Sequence, residues 1–177
     1  MKEKDDRSKQ LAYLLRHDKE AWRLGKIDPN GWRNTIELED FYGYTKEELQ
    51  DIVDTDSKGR YELSENKLHI RALQGHSIPV EIDSIEETIP PEILYHGTPE
   101  KNKESILEKG LLKSSRLYVH LSADYETAKN VGERRSGPTI VFKIKAAEMS
   151  RAGIKFWKSK NGVWLCSCVE PKYLEVI

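Results

Sequence analysis

The chain has 177 residues, of which 37% are hydrophobic and 33% charged, and its formal net charge is −1. This length allows one domain or two small ones, and the balanced charge excludes a globally basic nucleic-acid-binding protein while leaving room for a local phosphate-binding cluster. The N-terminal segment MKEKDDRSKQ is too charged for a signal peptide, and no apolar run approaches the roughly 20 residues that span a bilayer. We therefore expect a cytoplasmic protein with no membrane segment.

The N-terminal part begins with a predicted helix. Leu11, Leu14 and Leu15 lie at the i, i+3, i+4 spacing of one apolar helical stripe within residues 8–18. The following segment 26–32, KIDPNGW, places Pro, Asn and Gly in succession, which is typical of a turn. The first helix is therefore expected to end before this turn.

A second helix and a hairpin are predicted after the turn. Thr45 followed by Glu48 matches a capping box that opens a helix running through Val53. Residues 60–72 alternate apolar and polar side chains around the polar segment SENK, which predicts a β-hairpin. Short helices followed by a hairpin resemble a winged-helix module, so we expect residues 1–83 to form a winged-helix-like lobe.

The composition changes at IDSIEETIPPE, where acidic residues and a Pro-Pro pair disfavour regular structure. We place a linker at residues 84–92 and a second lobe at residues 93–177. Strands dominate this second lobe, with short helices between them, so the predicted class is α+β. Its expected elements are strands at 93–98, 117–122, 138–146 and 162–169, and helices at about 100–109, ended by Gly110, and from about Asp124.

The two cysteines give no sign of a metal site. Cys166 and Cys168 form one C-x-C pair, whose side chains would share one face of an extended strand. A zinc site needs two further ligands at suitable spacing, and the sequence has no second pair. Buried free thiols and no bound metal are the prediction.

Two of the five histidines lie in short apolar stretches beside a small hydroxyl residue. His96 is in LYHGT and His120 is in VHLS. A histidine in an apolar strand is usually a core residue with its ring hydrogen-bonded, and this interpretation stands beside a ligand-binding one.

A cationic pair follows the first apolar stripe. Arg16 and His17 lie at the predicted helix end, where the helix dipole also favours cations, so a purely structural role is an alternative. Arg71 lies in the predicted hairpin on the strand face opposite Ile70 and Ala72, because side chains alternate along a strand. These cations are candidates for binding an anion.

Glycines accompany two further polar stretches. QGHS offers His76 and Ser77 as donors beside a glycine that permits close backbone approach, and VGERRSGP places Arg134 and Arg135 between glycines. Arginine's planar fork matches phosphate oxygens and stays charged at any relevant pH. The three clusters, at residues 16–17, 71–77 and 131–138, together predict a phosphate-rich ligand.

Seven stretches in order resemble the bacterial RNA 2'-phosphotransferase family. They are LLRH, DPNGW, IRALQGHS, LYHGT, YVHLSAD, ETAKNVGERR and NGVWL, and the resemblance runs from about Ser8 to the C-terminus. Each motif alone is weak evidence for this resemblance. The specific signal is that all seven occur in this order.

The resemblance implies an enzyme that removes an internal 2'-phosphate from RNA with NAD as co-substrate and no metal. An ADP-ribosylated RNA 2'-phosphate would be the intermediate, and the products would be 2'-hydroxyl RNA, nicotinamide and ADP-ribose 1'',2''-cyclic phosphate. It also implies that the second lobe is ADP-ribosyltransferase-like. We expect a monomer whose RNA affinity depends on the 2'-phosphate more than on base identity.

The same resemblance implies three sets of site residues. Arginines would clamp the phosphate and a histidine would supply a proton. The expected catalytic residues are Arg16, His17, Arg71 and Arg134. The expected NAD-binding residues are His96, Gly97, Thr98, Gly110, His120, Leu121, Ser122 and Gly132. The expected RNA phosphate-binding residues are Arg16, His17, Arg71, His76 and Ser77.

The sequence departs at two places from the patterns of the proteins that it resembles. The family's arginine-histidine-glycine triplet is replaced by Arg134-Arg135-Ser136, so Arg135 is an alternative to Arg134. Many ADP-ribosyltransferases carry a glutamate where this chain has NGVW, but an anionic phosphate nucleophile needs no general base.

Two other functions remain open at this point. An ADP-ribosyltransferase acting on protein or nucleic-acid phosphate ends would share the motifs of the second lobe without requiring Arg16, His17 and Arg71. A winged-helix nucleic-acid-binding protein without chemistry would leave LYHGT and YVHLS as core strands.

Overall fold

The computed structural model describes residues 2–81 and 85–177, and the chain divides into two compact units, Met1–Ser84 and Ile85–Ile177. Each unit mixes helices with small antiparallel sheets, in agreement with the predicted α+β class. Residues 82–84, where we placed the lobe boundary, lie outside the described residues.

The first unit contains four helices and a three-stranded sheet within its described residues. The sheet places β3 (His69–Ala72) between β1 (Arg33–Asn34) and β2 (Tyr61–Leu63), and the β2–β3 hairpin confirms the prediction from the alternating pattern. The leucine stripe of the first helix is buried against residues of the other helices and the sheet. The elements are α1 (Lys2–Arg16), α2 (Lys19–Arg23), β1 (Arg33–Asn34), α3 (Thr35–Tyr42), α4 (Lys46–Thr55), β2 (Tyr61–Leu63) and β3 (His69–Ala72).

Side-chain caps begin three of these helices. Asp18, Asn34 and Thr45 each accept a hydrogen bond from a backbone N–H in the first turn of α2, α3 and α4. Of the two hydrogen bonds in the capping box predicted at α4, the one from the Glu48 backbone N–H to the Thr45 hydroxyl forms. The Glu48 carboxylate accepts hydrogen bonds from Arg7 instead, at 2.7 and 2.8 Å. Sequence patterns missed α3, whose cap lies in the short strand β1.

The second unit is built from two larger sheets and one pair of short strands. The elements are β4 (Ile85–Glu87), β5 (Leu94–Pro99), α5 (Lys103–Lys109), β6 (Leu111–Leu112), β7 (Val119–Leu121), α6 (Tyr125–Gly132), β8 (Thr139–Ile144), α7 (Ala146–Arg151), β9 (Phe156–Ser159), β10 (Trp164–Cys166), β11 (Cys168–Val169) and β12 (Leu174–Val176). The strand orders are β4-β9-β10-β7, β12-β8-β5 and β11-β6, and an isolated bridge between Tyr95 and Ser122 links β5 to the end of β7.

Two predictions for this unit are wrong in detail. The expected irregular linker at 84–92 contributes β4, because Ile85–Glu87 find hydrogen-bonding partners on β9. The single strand expected at 162–169 breaks at Ser167, because β10 and β11 join different sheets.

The break separates the environments of the two cysteines. Cys166 is buried, and burial raises the pKa of its thiol to about 12, which leaves it protonated and inert at neutral pH. Cys168 is only partly buried, which corrects the expectation of two buried thiols on one face. Both are free.

Among the described residues, none of the helices combines the length and apolar character that crossing a membrane requires. In the same part of the chain, no group of three or more His, Cys, Asp or Glu side chains is arranged to hold a metal ion.

Candidate functional site

The end of α1 brings two of the expected phosphate-binding stretches together. His17 continues the helical pattern by donating its backbone N–H to Tyr13, and its Nδ1 lies 3.0 Å from the Ser77 hydroxyl. The Ser77 backbone N–H donates to the Arg16 carbonyl at 3.0 Å. The QGHS loop therefore docks on the last turn of α1, although 60 residues separate His17 from Ser77.

Gly75 lets this loop pass close to Arg16. Its φ of 90° is a left-handed conformation that disfavours other residues, and an added Cβ would lie 3.6 Å from the Arg16 guanidinium carbon. The Arg16 guanidinium also lies 6.0 Å from the Tyr61 ring centroid. His76, which lies between Gly75 and Ser77 in the chain, is buried. Arg16, His17, Gly75 and Ser77 thus form one compact polar site, which we call the α1 site.

Arg33 fixes the helix end that carries the α1 site. Its side chain is 1% exposed and donates to the Leu14 carbonyl, to Asp18 at 2.9 Å and to Glu37 at 2.8 Å. Burial would raise the pKa of Asp18, but hydrogen bonds from the Ala21 backbone and from Arg33 outweigh it and lower that pKa. Arg33 thus ties α1, α2 and α3 together, and sequence reasoning had not singled it out.

Arg71 lies on the face of β3 where the alternating pattern placed it, but it already has partners. Its Nε and Nη2 donate to one oxygen of Glu62 at 2.8 and 2.7 Å, and its guanidinium lies 4.2 Å from the Trp32 ring centroid. The side chain is only 3% exposed. Sequence reasoning identified the arginine but not Glu62 or Trp32, because neither contact has a signal at short sequence spacing.

In the second unit, the two histidines are linked through backbone carbonyls. His96 Nδ1 lies 3.0 Å from the His120 carbonyl, and His120 Nδ1 lies 3.0 Å from the Tyr118 carbonyl. Because a carbonyl only accepts hydrogen bonds, each Nδ1 carries a proton, and a neutral ring then presents Nε2 as an acceptor. The hydrogen-bonded rings match the core-histidine alternative, but both histidines also line a cavity.

Burial lowers the pKa of His96, and the positive charges of Arg135 and Arg116 lower it further. The hydrogen bond to the His120 carbonyl acts in the opposite direction but is the weaker effect. His96 is therefore neutral near pH 7. A neutral ring at this position can accept a hydrogen bond from a ligand, but it adds no cation to the cavity.

The cavity itself, which we call the β5–β7 cavity, has a volume of about 500 Å³. Three cationic residues line it, Lys109, Arg116 and Arg135, and no Asp or Glu is among its lining residues. Its wall also includes Thr98, whose hydroxyl accepts a hydrogen bond from Asn102 at 2.9 Å. The cavity thus combines fixed positive charge with hydroxyl and amide groups, as an anionic ligand requires. The lining residues are His96, Thr98, Asn102, Ser105, Ile106, Lys109, Gly110, Leu111, Leu112, Ser114, Ser115, Arg116, Tyr118, Val119, His120 and Arg135.

A sequence model described as RNA 2'-phosphotransferase, Tpt1 / KptA family, matches residues 2–168. The chain belongs to this family. A probable RNA 2'-phosphotransferase from Flavobacterium johnsoniae is 47% identical, with 95% of this chain and 93% of that protein covered. One from Fusobacterium nucleatum is 45% identical over 93% and 94% of the two chains, and one from Nostoc punctiforme is 43% identical over 96% and 95%. The resemblance drawn from the seven stretches is confirmed, and the chain is an enzyme of the RNA 2'-phosphotransferase kind.

Arg116 is a cavity residue that the motifs of the phosphotransferase family did not lead us to. Partial desolvation and the nearby charges of Arg135 and Arg134 lower the pKa of its guanidinium. Like charges gathered at a cavity wall repel one another, so a bound anion would relieve the repulsion. The only sequence signal is a basic residue in the segment SSRLYVHLS.

The structure distinguishes Arg134 from Arg135. Arg135 lines the β5–β7 cavity, whereas Arg134 is near enough for its charge to lower the pKa of Arg116 without being one of the lining residues. The expected catalytic role at Arg134 therefore stays a prediction, and Arg135 is placed at least as well for contact with an anion.

Several expected NAD-binding residues have structural roles in the second unit. A Cβ at Gly97 would overlap the Ala128 carbonyl oxygen, so this glycine permits β5 to pack closely against α6, and Gly132 lies at the same contact. Leu121 is buried in the core, and Ser122 forms backbone hydrogen bonds with Tyr95.

Gly110 is both a structural residue and a cavity-lining one. Its φ is 81°, a Cβ there would overlap the Val169 carbonyl oxygen, and the residue ends α5. Of the expected NAD-binding set, His96, Thr98, Gly110 and His120 line the cavity.

Proposed function

We propose that this protein removes an internal 2'-phosphate from RNA by transferring it to NAD, without a metal ion. We assign RNA binding to the first unit, which would be a winged-helix-like lobe. We assign NAD binding to the second unit, which would be an ADP-ribosyltransferase-like lobe. The observation that carries the NAD assignment is the β5–β7 cavity, whose lining has three cationic residues and no carboxylate. A dinucleotide diphosphate is the kind of ligand that this charge pattern favours.

The fit of the cavity to NAD rests on its chemistry. Arg116 and Arg135 would bind the diphosphate, because guanidinium groups donate to phosphate oxygens in a planar fork. Neutral His96 would accept a hydrogen bond from a hydroxyl or an amide, and Thr98 and Asn102 add polar contacts. The volume of about 500 Å³ lies within the range of small-molecule sites.

The 2'-phosphate of the RNA is assigned to the α1 site. Arg16 supplies charge, the His17 ring is oriented by its hydrogen bond to Ser77, and the loop glycine allows the backbone to come close. Arg71 is a further expected phosphate ligand. To serve that role it would share its guanidinium between Glu62 and the phosphate, because Nε and Nη2 already donate to Glu62.

NAD would enter as a substrate whose anomeric carbon carries nicotinamide as the leaving group. In the first step the anionic 2'-phosphate oxygen bonds to that carbon and nicotinamide departs, which gives the ADP-ribosylated RNA 2'-phosphate. No general base is needed for an oxygen that is already ionised. This agrees with NGVW, where Val163 and Trp164 stand in place of a carboxylate.

In the second step the ribose 2''-hydroxyl attacks the same phosphorus and releases its own proton to water. The bond from phosphorus to the RNA 2'-oxygen breaks, and that oxygen leaves with a proton as a 2'-hydroxyl. His17 is the proposed proton donor, since imidazole titrates near neutral pH. Arg16 and Arg71 would stabilise the negative charge that accumulates on the phosphoryl oxygens.

The test uses RNA that carries a radiolabelled internal 2'-phosphate. We expect the label to move to ADP-ribose 1'',2''-cyclic phosphate only when NAD is present, and the transfer to persist in EDTA. Release of inorganic phosphate without NAD would overturn the NAD assignment. A stable ADP-ribose adduct on RNA ends or on protein, with no phosphate transfer, would instead indicate an ADP-ribosyltransferase.

A further inference from the structure

Tyr13 presents an unused aromatic ring beside the α1 site. Its side chain lies on the last turns of α1, four positions before His17, and the residue is 59% exposed. The centroids of the two rings are 6.0 Å apart, with an angle of 50° between the ring planes. Within the described residues, the Tyr13 hydroxyl makes no hydrogen bond.

Most other aromatic rings of the first unit are already occupied, and Trp22 is the exception among the described residues. Tyr44 and Tyr61 are buried and donate their hydroxyl hydrogens to the carbonyls of Arg7 and Ser8, at 2.7 and 2.8 Å. Most of these rings also have a Lys or Arg cation over one face. The pairs are Arg71 on Trp32, Lys26 on Phe41, Arg33 on Tyr42, Arg7 on Tyr44 and Arg60 on Tyr61.

No Lys or Arg cation lies over Tyr13 in the part of the chain that the structure describes. A single exposed aromatic residue on a soluble protein needs no special explanation. Tyr13 differs because the group next to its open ring is His17, the candidate phosphate ligand. Phe41 is 67% exposed but has Lys26 over its ring at 4.6 Å, so it offers a natural comparison.

We propose that Tyr13 is a stacking platform for the base of the nucleotide that carries the 2'-phosphate. This inference rests on the proposed function. The base and the 2'-phosphate are attached to neighbouring carbons of one ribose, so a phosphate held at His17 leaves its own base close to the Tyr13 ring. The spacing of 6.0 Å between the two rings suits two groups on a single sugar.

Stacking on Tyr13 adds affinity without adding sequence specificity. Every base has a π face, and the unused hydroxyl gives no directional contact to a base edge. The platform is therefore compatible with an RNA affinity that varies little with base identity. It adds an aromatic contact that sequence reasoning missed, because a lone tyrosine within an apolar helix pattern resembles a core residue.

The experiment measures RNA binding to the full chain in the absence of NAD. A short RNA carries a 2'-phosphate on a central 2-aminopurine nucleotide, whose fluorescence is quenched by stacking. We expect Tyr13→Ala to weaken binding by about 5- to 100-fold and to abolish the quenching. Tyr13→Phe should bind and quench like the native protein, and Phe41→Ala should leave both readouts unchanged.

A second RNA with an abasic ribose under the 2'-phosphate completes a double-mutant cycle. It should bind native protein and Tyr13→Ala equally, because the lost partner is the base. Equal weakening of both RNAs by Tyr13→Ala, or unchanged affinity for the base-containing RNA, overturns the platform. The phosphate-transfer assay on native protein tests the proposed function separately, because binding and quenching are measured without NAD.

Discussion

Arg71 and Glu62 face each other across the β2–β3 hairpin, and two guanidinium nitrogens share one carboxylate oxygen at 2.8 and 2.7 Å. The carboxylate therefore occupies donors that a phosphate would also use. Glu62 holds the Arg71 side chain in place and at the same time offsets its charge. These two effects have opposite consequences for stability and for anion binding, so one substitution separates them.

Glu62→Gln should make the protein less stable but a better phosphate binder. A nearly buried guanidinium loses its ionic partner, which should lower the free energy of unfolding by about 1–3 kcal/mol. The competing negative charge is removed, so RNA with a 2'-phosphate should bind several-fold more tightly. Urea unfolding and RNA titration measure the two effects.

The matched control is Glu20→Gln. Glu20 pairs with Arg23 at 2.8 Å, but both side chains are largely exposed. Its loss should change the free energy of unfolding by less than about 0.5 kcal/mol and leave RNA affinity unchanged. If Glu62→Gln weakened RNA binding, the role of Glu62 would be to orient Arg71 rather than to compete with the phosphate.

Arg135→Gln should raise the pKa of His96. Burial is the main cause that lowers this pKa, and the positive charge of Arg135 adds to it by disfavouring the imidazolium form. The substitution removes the charge and leaves the burial, so the His96 titration should move upward while staying below its ordinary value. NMR titration of the imidazole measures the change. Lys155→Gln, at an exposed lysine paired with Glu87, should leave the His96 titration in place.

Arg116→Gln should weaken NAD binding by about 10- to 100-fold, the usual effect of losing a charge-assisted hydrogen bond. Arg116 lines the β5–β7 cavity and is close to two further arginines. Arg151→Gln is the control, because Arg151 is exposed and pairs with Glu92. Calorimetric titration with NAD should separate the two variants. If the two variants bound NAD with equal affinity, Arg116 would not be a ligand of the diphosphate.

Asp18→Asn should reduce stability at neutral pH but not in acid. The folded pKa of Asp18 is lowered, so its ionised form adds stability above the unfolded value near 3.8, and this stability is lost as the pH falls through the folded pKa. Asn keeps an acceptor for the Ala21 N–H but lacks a charge for Arg33. Urea unfolding from pH 7 to strong acid should show a difference of about 1–2 kcal/mol that shrinks below the unfolded pKa. If the difference in the free energy of unfolding stayed constant across that range, the ionised form of Asp18 would not be the source of the stability.

Sequence patterns found the elements whose determinants are close together in the chain. The hairpin at 60–72 and the Thr45 cap depend on residues a few positions apart, and the structure contains both. Contacts from distant segments were not predictable in this way. Glu48 pairs with Arg7, 41 residues away, instead of closing the capping box. Ser167 interrupts a strand because two different sheets supply the partners on either side.

The site shows the same division. The order of the motifs identified the family and located Arg16, His17, His96 and His120. The motifs do not predict which residues between them contribute side chains to a site. Arg116 is recognised as a candidate ligand-binding residue only from the fold, which places it in a cavity wall near Arg135.

The two steps of the proposed reaction should respond differently to the two histidine sites. His17 lies at the α1 site, where the transferred phosphate is assigned, and His96 lies at the cavity assigned to NAD. The first step needs a correctly held NAD and an ionised phosphate, whereas the second step also needs a proton for the departing RNA 2'-oxygen. His17→Ala should therefore slow the second step by about 10²–10⁴-fold, a typical effect of removing a proton donor, and the ADP-ribosylated RNA 2'-phosphate should accumulate. His96→Ala should slow the first step and leave no intermediate.

Single-turnover reactions with labelled 2'-phosphorylated RNA, resolved on a gel, distinguish these outcomes. His69→Ala is a suitable control, because His69 lies on β3 and has no assigned role in either site. It should leave both rates near those of the native protein. If His17→Ala slowed both steps equally and no intermediate appeared at any time, His17 would be needed to place the phosphate for attack rather than to donate the proton. The proton would then have to come from another group at the α1 site, and Ser77, hydrogen-bonded to His17 at 3.0 Å, would be the first to substitute.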